Sequence, residues 1–136
     1  MRSRSVIAPS RNITFLVATC QSSDFQTGFV FERAFCHLKQ PQFLAKQHSL
    51  LTIFNTMIQI CCGLSALHNS YNIVHTDIKL ENILLFKNGT VKLSDFGHSL
   101  MARPSPIYSK TPCIDQCRGC ELTSIDFRAP EVFFCE

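Results

Sequence analysis

HTDIKLENILLFKNGTVKLSDFG, residues His75–Gly97, carries an acid at its third position, a lysine at its fifth and an amide at its eighth, with a further acid, Asp95, near its end. Between them, Ile83–Lys87 and Thr90–Ser94 are strand-like runs flanking Asn88-Gly89. An Asn-Gly pair between two such runs predicts a two-residue hairpin turn, because both central residues tolerate positive φ. Counting outward from that turn, Lys87 faces Thr90, Leu85 faces Lys92, Ile83 faces Ser94, and Asn82 faces Asp95. Directly opposite residues have Cβ atoms about 4.5–5.5 Å apart. An amide and a carboxylate then meet at the open end of the hairpin, an oxygen pair suited to a hard cation such as Mg²⁺. Asp77 lies close to that mouth, and Lys79 can reach the same side to neutralise an anion. Acid, cation and metal pair converging on one point suit phosphoryl transfer, which needs positioning and charge stabilisation more than covalent chemistry.

Upstream, apolar residues fall at helical spacing from Ser49 to His68. Leu50, Ile53, Met57, Ile60, Leu64 and Leu67 form one stripe, and Leu51, Phe54, Ile58 and Cys61 an adjacent one. Together they predict a helix buried over much of its girth. Gly63 inside it costs about 1 kcal/mol relative to alanine, and the sequence names no neighbour that would require it. Pro41 breaks the chain before this helix. Further back, Ile13–Val17 and Gly28–Glu32 read as two strands separated by the polar Gln21–Asp24. After Gly97 the chain reads as a loop containing Pro104, Pro106 and Pro112, regaining definition at Ala129-Pro130-Glu131.

The 136 residues suffice for one domain, and a 46% apolar content is that of a globular chain. A net charge of +3 with scattered basic residues argues against a nucleic-acid partner. No apolar run is read as approaching the roughly 18 residues of a membrane span, so no membrane partner is expected. The eight cysteines include Cys61 and Cys62 within the helical pattern, where free cysteine behaves as a small hydrophobe. The expectation is a reduced, intracellular protein, in the cytoplasm or nucleus. The Arg- and Ser-rich N-terminus is similar to a transit peptide, but the favoured reading is a surface segment leading into a strand. The glycosylation sequons at Asn12 and Asn88 are inert in that setting.

His75–Asn82 resembles the catalytic loop of eukaryotic protein kinases, Asp95-Phe96-Gly97 their metal-binding triplet, and Ala129-Pro130-Glu131 the end of their activation segment. Three motifs in that order are far more specific than any one of them. The resemblance implies an α+β protein-kinase-like fold containing only part of the domain. Residues 12–34 would be N-lobe strands and hinge, and residues 35–136 the start of the C-lobe through the activation segment. It implies that Asp77 orients and deprotonates the substrate hydroxyl, that Lys79 stabilises the transferred phosphoryl group, and that Asn82 and Asp95 hold Mg²⁺. Gly28–Phe35 resembles the strand and hinge that hold the adenine of ATP. Phe31 would then be the gatekeeper, the backbone of Glu32 and Ala34 would bond the adenine edge, and Leu84 would form the pocket floor. Lys79 and Ser124 resemble the serine/threonine class, Arg128 the CMGC group, and Thr76 the SR-protein and CDC-like kinases. A protein substrate offering Ser or Thr, in an Arg/Ser-rich context, is the expected partner.

Thr76 stands where the family keeps an arginine that pairs with an activation-loop phosphate, and Leu80 replaces a proline. The five glycines, at 28, 63, 89, 97 and 119, form no G-x-G-x-x-G. The strand lysine, its helix glutamate and the partner of Glu131 are expected to lie outside this stretch, leaving apolar surface exposed. Three readings follow. One is a serine/threonine kinase of which this chain is a part. Another is a non-catalytic descendant that binds nucleotide or a partner. A third is a small zinc module built on Cys113, Cys117 and Cys120 with His98, although only Cys117-x-x-Cys120 has paired spacing. The plainer reading of those thiols is a variable loop. The plainer reading of His75 is a packed structural residue, and that of Phe133 and Phe134 is core. Ser105, Tyr108, Ser109, Thr111 and Thr123 are hydroxyls in a Pro-rich loop that could accept phosphate.

Overall fold

The computed structural model describes residues 10–21, 26–101, 124–128 and 130. Strands β1 (Leu16–Gln21) and β2 (Thr27–Phe31) form an antiparallel ribbon, and β3 (Cys36–His37) leads into the short helix α1 (Pro41–Leu44). The long helix α2 (Leu50–Tyr71) is followed by β4 (Ile73–Val74), a 3-10 turn at Leu80–Asn82, β5 (Ile83–Leu85), β6 (Val91–Leu93) and β7 (Leu100–Met101). The strands make three small sheets, β1-β2, β3-β5-β6 and β4-β7. A second 3-10 turn spans Ile125–Phe127. The expected α+β composition is present. Cys113, Cys117, Cys120, the Pro-rich loop with its hydroxyls, Ala129, Glu131, Phe133 and Phe134 lie outside the described residues.

Helix α2 begins where Ser49, in extended backbone, accepts a hydrogen bond from the Thr52 N–H at 3.2 Å, satisfying one orphan donor of the first turn. It ends at Asn72, whose left-handed backbone (φ 53°) returns its N–H to the Leu67 carbonyl. Proline at Pro41 starts α1 rather than merely breaking the chain, since its φ suits a first helical position. Leu38, Leu67, Ile83, Val91 and Leu93 form the buried core, with Ile13, Ile60, Leu64, Ile73, Ile78 and Phe96 packed around it. At Gly63, α2 meets β6 and the chain before β1. A Cβ there would lie 2.7 Å from the Asn12 carbonyl oxygen and 3.0 Å from Leu93 Cδ1, which explains the glycine inside the helix.

Four expectations are corrected. The helix is not buried over most of its girth: only Gly63 and Leu67 are buried, while Leu50, Leu51, Phe54, Met57 and Ile58 are exposed. The core reaches only the C-terminal half of the first stripe, at Ile60, Leu64 and Leu67, while Leu50, Ile53 and Met57 of that stripe stay exposed. By length and apolar composition α2 could also cross a membrane, contrary to the expectation that no segment is long enough. Its mid-helix Gln59 nevertheless accepts from the Val91 N–H at 2.8 Å and the Asn12 amide at 3.2 Å, tying it to the core.

The first strand also starts later than expected. Asn12–Thr14 is drawn to β6: the Leu93 N–H donates to the Asn12 carbonyl and the Thr14 N–H to the Leu93 carbonyl, both at 2.9 Å. The Asn12 amide adds a bond to the Val91 carbonyl at 2.8 Å.

The fourth correction concerns hairpin register. The observed pairs are Ile83 with Leu93, Leu84 with Lys92 and Leu85 with Val91. Only Gly89 takes positive φ (78°) in the turn. The Gly89 N–H bonds the Phe86 carbonyl at 3.0 Å and the Phe86 N–H bonds the Thr90 carbonyl at 2.9 Å. This is a three-residue loop, a turn followed by a left-handed glycine, and it moves every pairing by one residue. Asn82 therefore faces Ser94, not Asp95. The Ser94 N–H donates to the Asn82 carbonyl at 2.9 Å.

Candidate active site

Asp77 lies between β4 and the Leu80–Asn82 turn, 6% exposed. His75, fully enclosed, buttresses it from beneath. The Asp77 N–H donates to His75 Nδ1 at 3.4 Å, so the ring hydrogen sits on Nε2 and donates to the Ser94 carbonyl at 2.9 Å. Phe96 packs against the imidazole with ring centroids 5.1 Å apart. These contacts fit the structural reading of His75 and, among the described residues, leave Asp77 as the carboxylate at the centre of the cluster.

Both oxygens of that carboxylate are engaged. Oδ1 accepts from the Ser124 hydroxyl at 2.8 Å and the Ser124 N–H at 3.2 Å. Oδ2 accepts from the Asn82 amide at 3.0 Å and lies 2.6 Å from Lys79 Nζ. Burial alone would push the carboxyl up. The bonds from Lys79 and from the Ser124 hydroxyl and N–H, with the lysine's charge, outweigh it and hold the pKa at about 2. Asp77 is therefore ionised at neutral pH, and so weak a base suits orienting a hydroxyl better than storing its proton. Lys79 is pushed up by its bond to Asp77, against burial, and further by the charges of Asp77, Glu81 and Asp95. The Ser124 hydroxyl also accepts from Lys79 Nζ at 2.9 Å, so a serine hydroxyl sits between acid and lysine.

Asn82 is buried, and its amide nitrogen donates to the Asp77 carbonyl (2.9 Å) as well as to its carboxylate. That orientation leaves the side-chain oxygen as the acceptor end. Asp95 is exposed, has left-handed backbone (φ 61°), and receives the Gly97 N–H on Oδ1 at 3.4 Å. Asp95 reaches the neighbourhood of Lys79 through this backbone turn, not through the cross-strand pairing first expected. An amide oxygen and a carboxylate are hard donors that fit Mg²⁺. Among the described residues no group of three or more His, Cys, Asp or Glu side chains could hold a metal ion.

The residues expected to hold adenine are linked by strand contacts. Phe31 ends β2 opposite Leu16 and is half-exposed. The Glu32 carboxylate is gripped through both oxygens by Lys92 Nζ at 2.7 Å, and Lys92 pairs across the sheet with Leu84. Half-buried Ala34 precedes Phe35, whose N–H bonds the Leu85 carbonyl at 2.8 Å. Glu32, through Lys92, and Phe35, which follows Ala34, are thus tied to the sheet that carries Leu84, while Phe31 stays on the β1-β2 ribbon. The Glu32–Lys92 pair was not anticipated, because the expected register placed Lys92 opposite Leu85. A cavity of about 400 Å³ between α1, α2 and the sheet is lined by Phe35, Phe43, His48, Leu85 and Val91 among others, and includes none of Asp77, Lys79, Asn82 or Asp95.

The family model for the protein kinase domain matches residues 5–135. The chain belongs to the protein kinase family. Its kinase fold is the α+β arrangement described above. Mouse Cyclin-dependent kinase 4 is 36% identical over 131 residues, covering 89% of this chain and 38% of that protein. The yeast Probable serine/threonine-protein kinase FMP48 is 37% identical over 75 residues, covering 55% and 17%. Cyclin-dependent kinase-like 2 of Pongo abelii is 48% identical over 54 residues, covering 39% and 11%. The chain thus spans well under half the length of these kinases.

Proposed function

We propose that this kinase chain belongs to an enzyme that transfers the γ-phosphate of ATP to a serine or threonine hydroxyl of a protein substrate. The observation that carries the reading is the Ser124 hydroxyl held between Asp77 Oδ1 and Lys79 Nζ, 2.8 and 2.9 Å away. That placement is what a substrate hydroxyl would need. In the transfer, the hydroxyl oxygen forms a bond to the γ-phosphorus as the bond to the β-γ bridging oxygen breaks, ADP leaves, and the hydroxyl proton passes toward Asp77. Lys79 neutralises charge on the moving phosphoryl group. Asn82 and Asp95 would hold Mg²⁺, which when bound neutralises the phosphates.

Phe31 would border the adenine, the backbone of Glu32 and Ala34 would bond its edge, and Leu84 would underlie it. The Glu32–Lys92 pair supports this division of labour, since it occupies the Glu32 side chain and leaves recognition to the backbone. Residues 12–34 would serve as strands and hinge of the smaller lobe, and 35–136 as the start of the larger. Arg128 and Thr76 favour a CMGC kinase acting inside the cell on Arg/Ser-rich segments.

The test is transfer of label from γ-labelled ATP, in Mg²⁺, to an Arg/Ser peptide and to the same peptide with serine replaced by alanine. Transfer confined to the serine peptide is expected. Nucleotide binding without transfer, by the full chain and by any longer protein that contains it, would replace this reading with that of a non-catalytic binding descendant.

A further inference from the structure

Thr76 occupies an unfavourable backbone conformation for a β-branched residue, with φ 67°. Such strain persists only where surrounding contacts over-determine it. The contact here is the side chain's own: Thr76 Oγ1 donates to the His98 carbonyl at 2.7 Å. His98 directly follows Asp95-Phe96-Gly97. The same two stretches are joined by the Ser99 hydroxyl donating to the His75 carbonyl at 3.3 Å, and by β4 pairing with β7, Ile73 opposite Met101 and Val74 opposite Leu100. The Ser99 N–H closes a turn onto the Phe96 carbonyl at 3.0 Å.

We propose that Thr76 is a positioning residue, whose hydroxyl pins the chain leaving Asp95-Phe96-Gly97 to the Asp77 loop. Each of the contacts named above joins an uncharged hydroxyl or N–H to a carbonyl. Together these contacts hold the stretch that carries Asp95 against the Asp77 loop. The kinetic consequence rests on the phosphotransfer reading; the structural one does not.

The experiment compares the full chain with Thr76→Val, which keeps the branched shape and loses the hydroxyl, and Thr76→Ser, which keeps the hydroxyl. Amide hydrogen exchange across residues 98–101 should quicken in Thr76→Val by about five-fold, the loss equivalent to one net hydrogen bond. Thr76→Ser should exchange like the parent. In whichever protein shows phosphoryl transfer, kcat should fall in Thr76→Val with KM for peptide little changed, and Thr76→Ser should restore it. Equal exchange in Thr76→Val and parent would overturn the proposal, as would Thr76→Ser exchanging as fast as Thr76→Val. Absence of transfer in every protein refutes the phosphotransfer reading while the exchange comparison still decides the anchor.

Discussion

Gly63→Ala tests how α2 seats against the hairpin that carries the site. In an unconstrained helix the exchange would stabilise by about 1 kcal/mol. Here the added methyl meets the Asn12 carbonyl oxygen at 2.7 Å and Leu93 Cδ1 at 3.0 Å. Leu93 could turn its flexible end aside, but the carbonyl is backbone and is held: it accepts the Leu93 N–H at 2.9 Å, and the Asn12 side chain bonds Val91 and Gln59. Either α2 lifts from β6 or the buried Asn12–Leu93 bond breaks. Overpacking costs about 1–3 kcal/mol and an orphaned buried group a similar amount. After the helix gain is subtracted, a net loss of about 2 kcal/mol is expected. Urea denaturation followed by far-ultraviolet circular dichroism should show a lower midpoint with an unchanged slope, a shift on the order of 1 M for a small domain. A midpoint equal to or above the parent's would mean that Gly63 does not face Asn12 and Leu93, and the seating of α2 described above would be wrong.

Three further outcomes follow from named contacts. Ser49→Ala removes the α2 cap and should cost about 0.5–2 kcal/mol in the same denaturation assay. Glu32→Gln strands the Lys92 ammonium, 13% exposed between Phe15 and Phe86, and should lose about 1–3 kcal/mol. Adding Lys92→Met should recover part of that loss, whereas strictly additive effects would refute the pairing. For pH, the folded Asp77 carboxyl at about 2 lies below its ordinary 3.8, so the unfolded chain binds the proton more readily. The resulting stabilisation, about 2 kcal/mol, is fully present above pH 3.8 and is lost as pH falls toward 2. Asp77→Asn should flatten the stability profile in that window, and an unaltered slope there would contradict the cluster.

Much of this architecture was legible in residue order, because its elements carry local signals. The helix was legible from apolar spacing and the hairpin from Asn88-Gly89. The acid, lysine and amide of the loop were legible because three separated motifs agreed. Register was not: Asn-Gly is compatible with a two-residue or a three-residue loop, and only the backbone of Gly89 decides between them. One residue of slip replaced Asp95 by Ser94 opposite Asn82 and brought Lys92 beside Leu84. Burial of α2 was not legible either, since an apolar stripe shows that a face can be covered and not whether a neighbour covers it. The reason for Gly63 lay in Asn12 and Leu93, 51 and 30 positions away, beyond the reach of local pattern. Thr76 was read as a replaced arginine and a subfamily mark, and its hydroxyl bond was not foreseen, because its acceptor is a backbone carbonyl, which no residue type announces.

In the proposed reaction Asp77, set by Lys79, Asn82 and Ser124, directs a hydroxyl onto phosphate. The measurement that addresses it most directly is the rate of phosphoryl transfer from ATP to a serine peptide, in parallel for the parent and for Asp77→Asn, with nucleotide affinity measured on both. Asp77→Asn keeps the shape and removes the charge. Transfer should fall by at least about a hundred-fold, the scale of a lost acid–base group, while ATP affinity changes little. Transfer by Asp77→Asn at a rate near the parent's would contradict it.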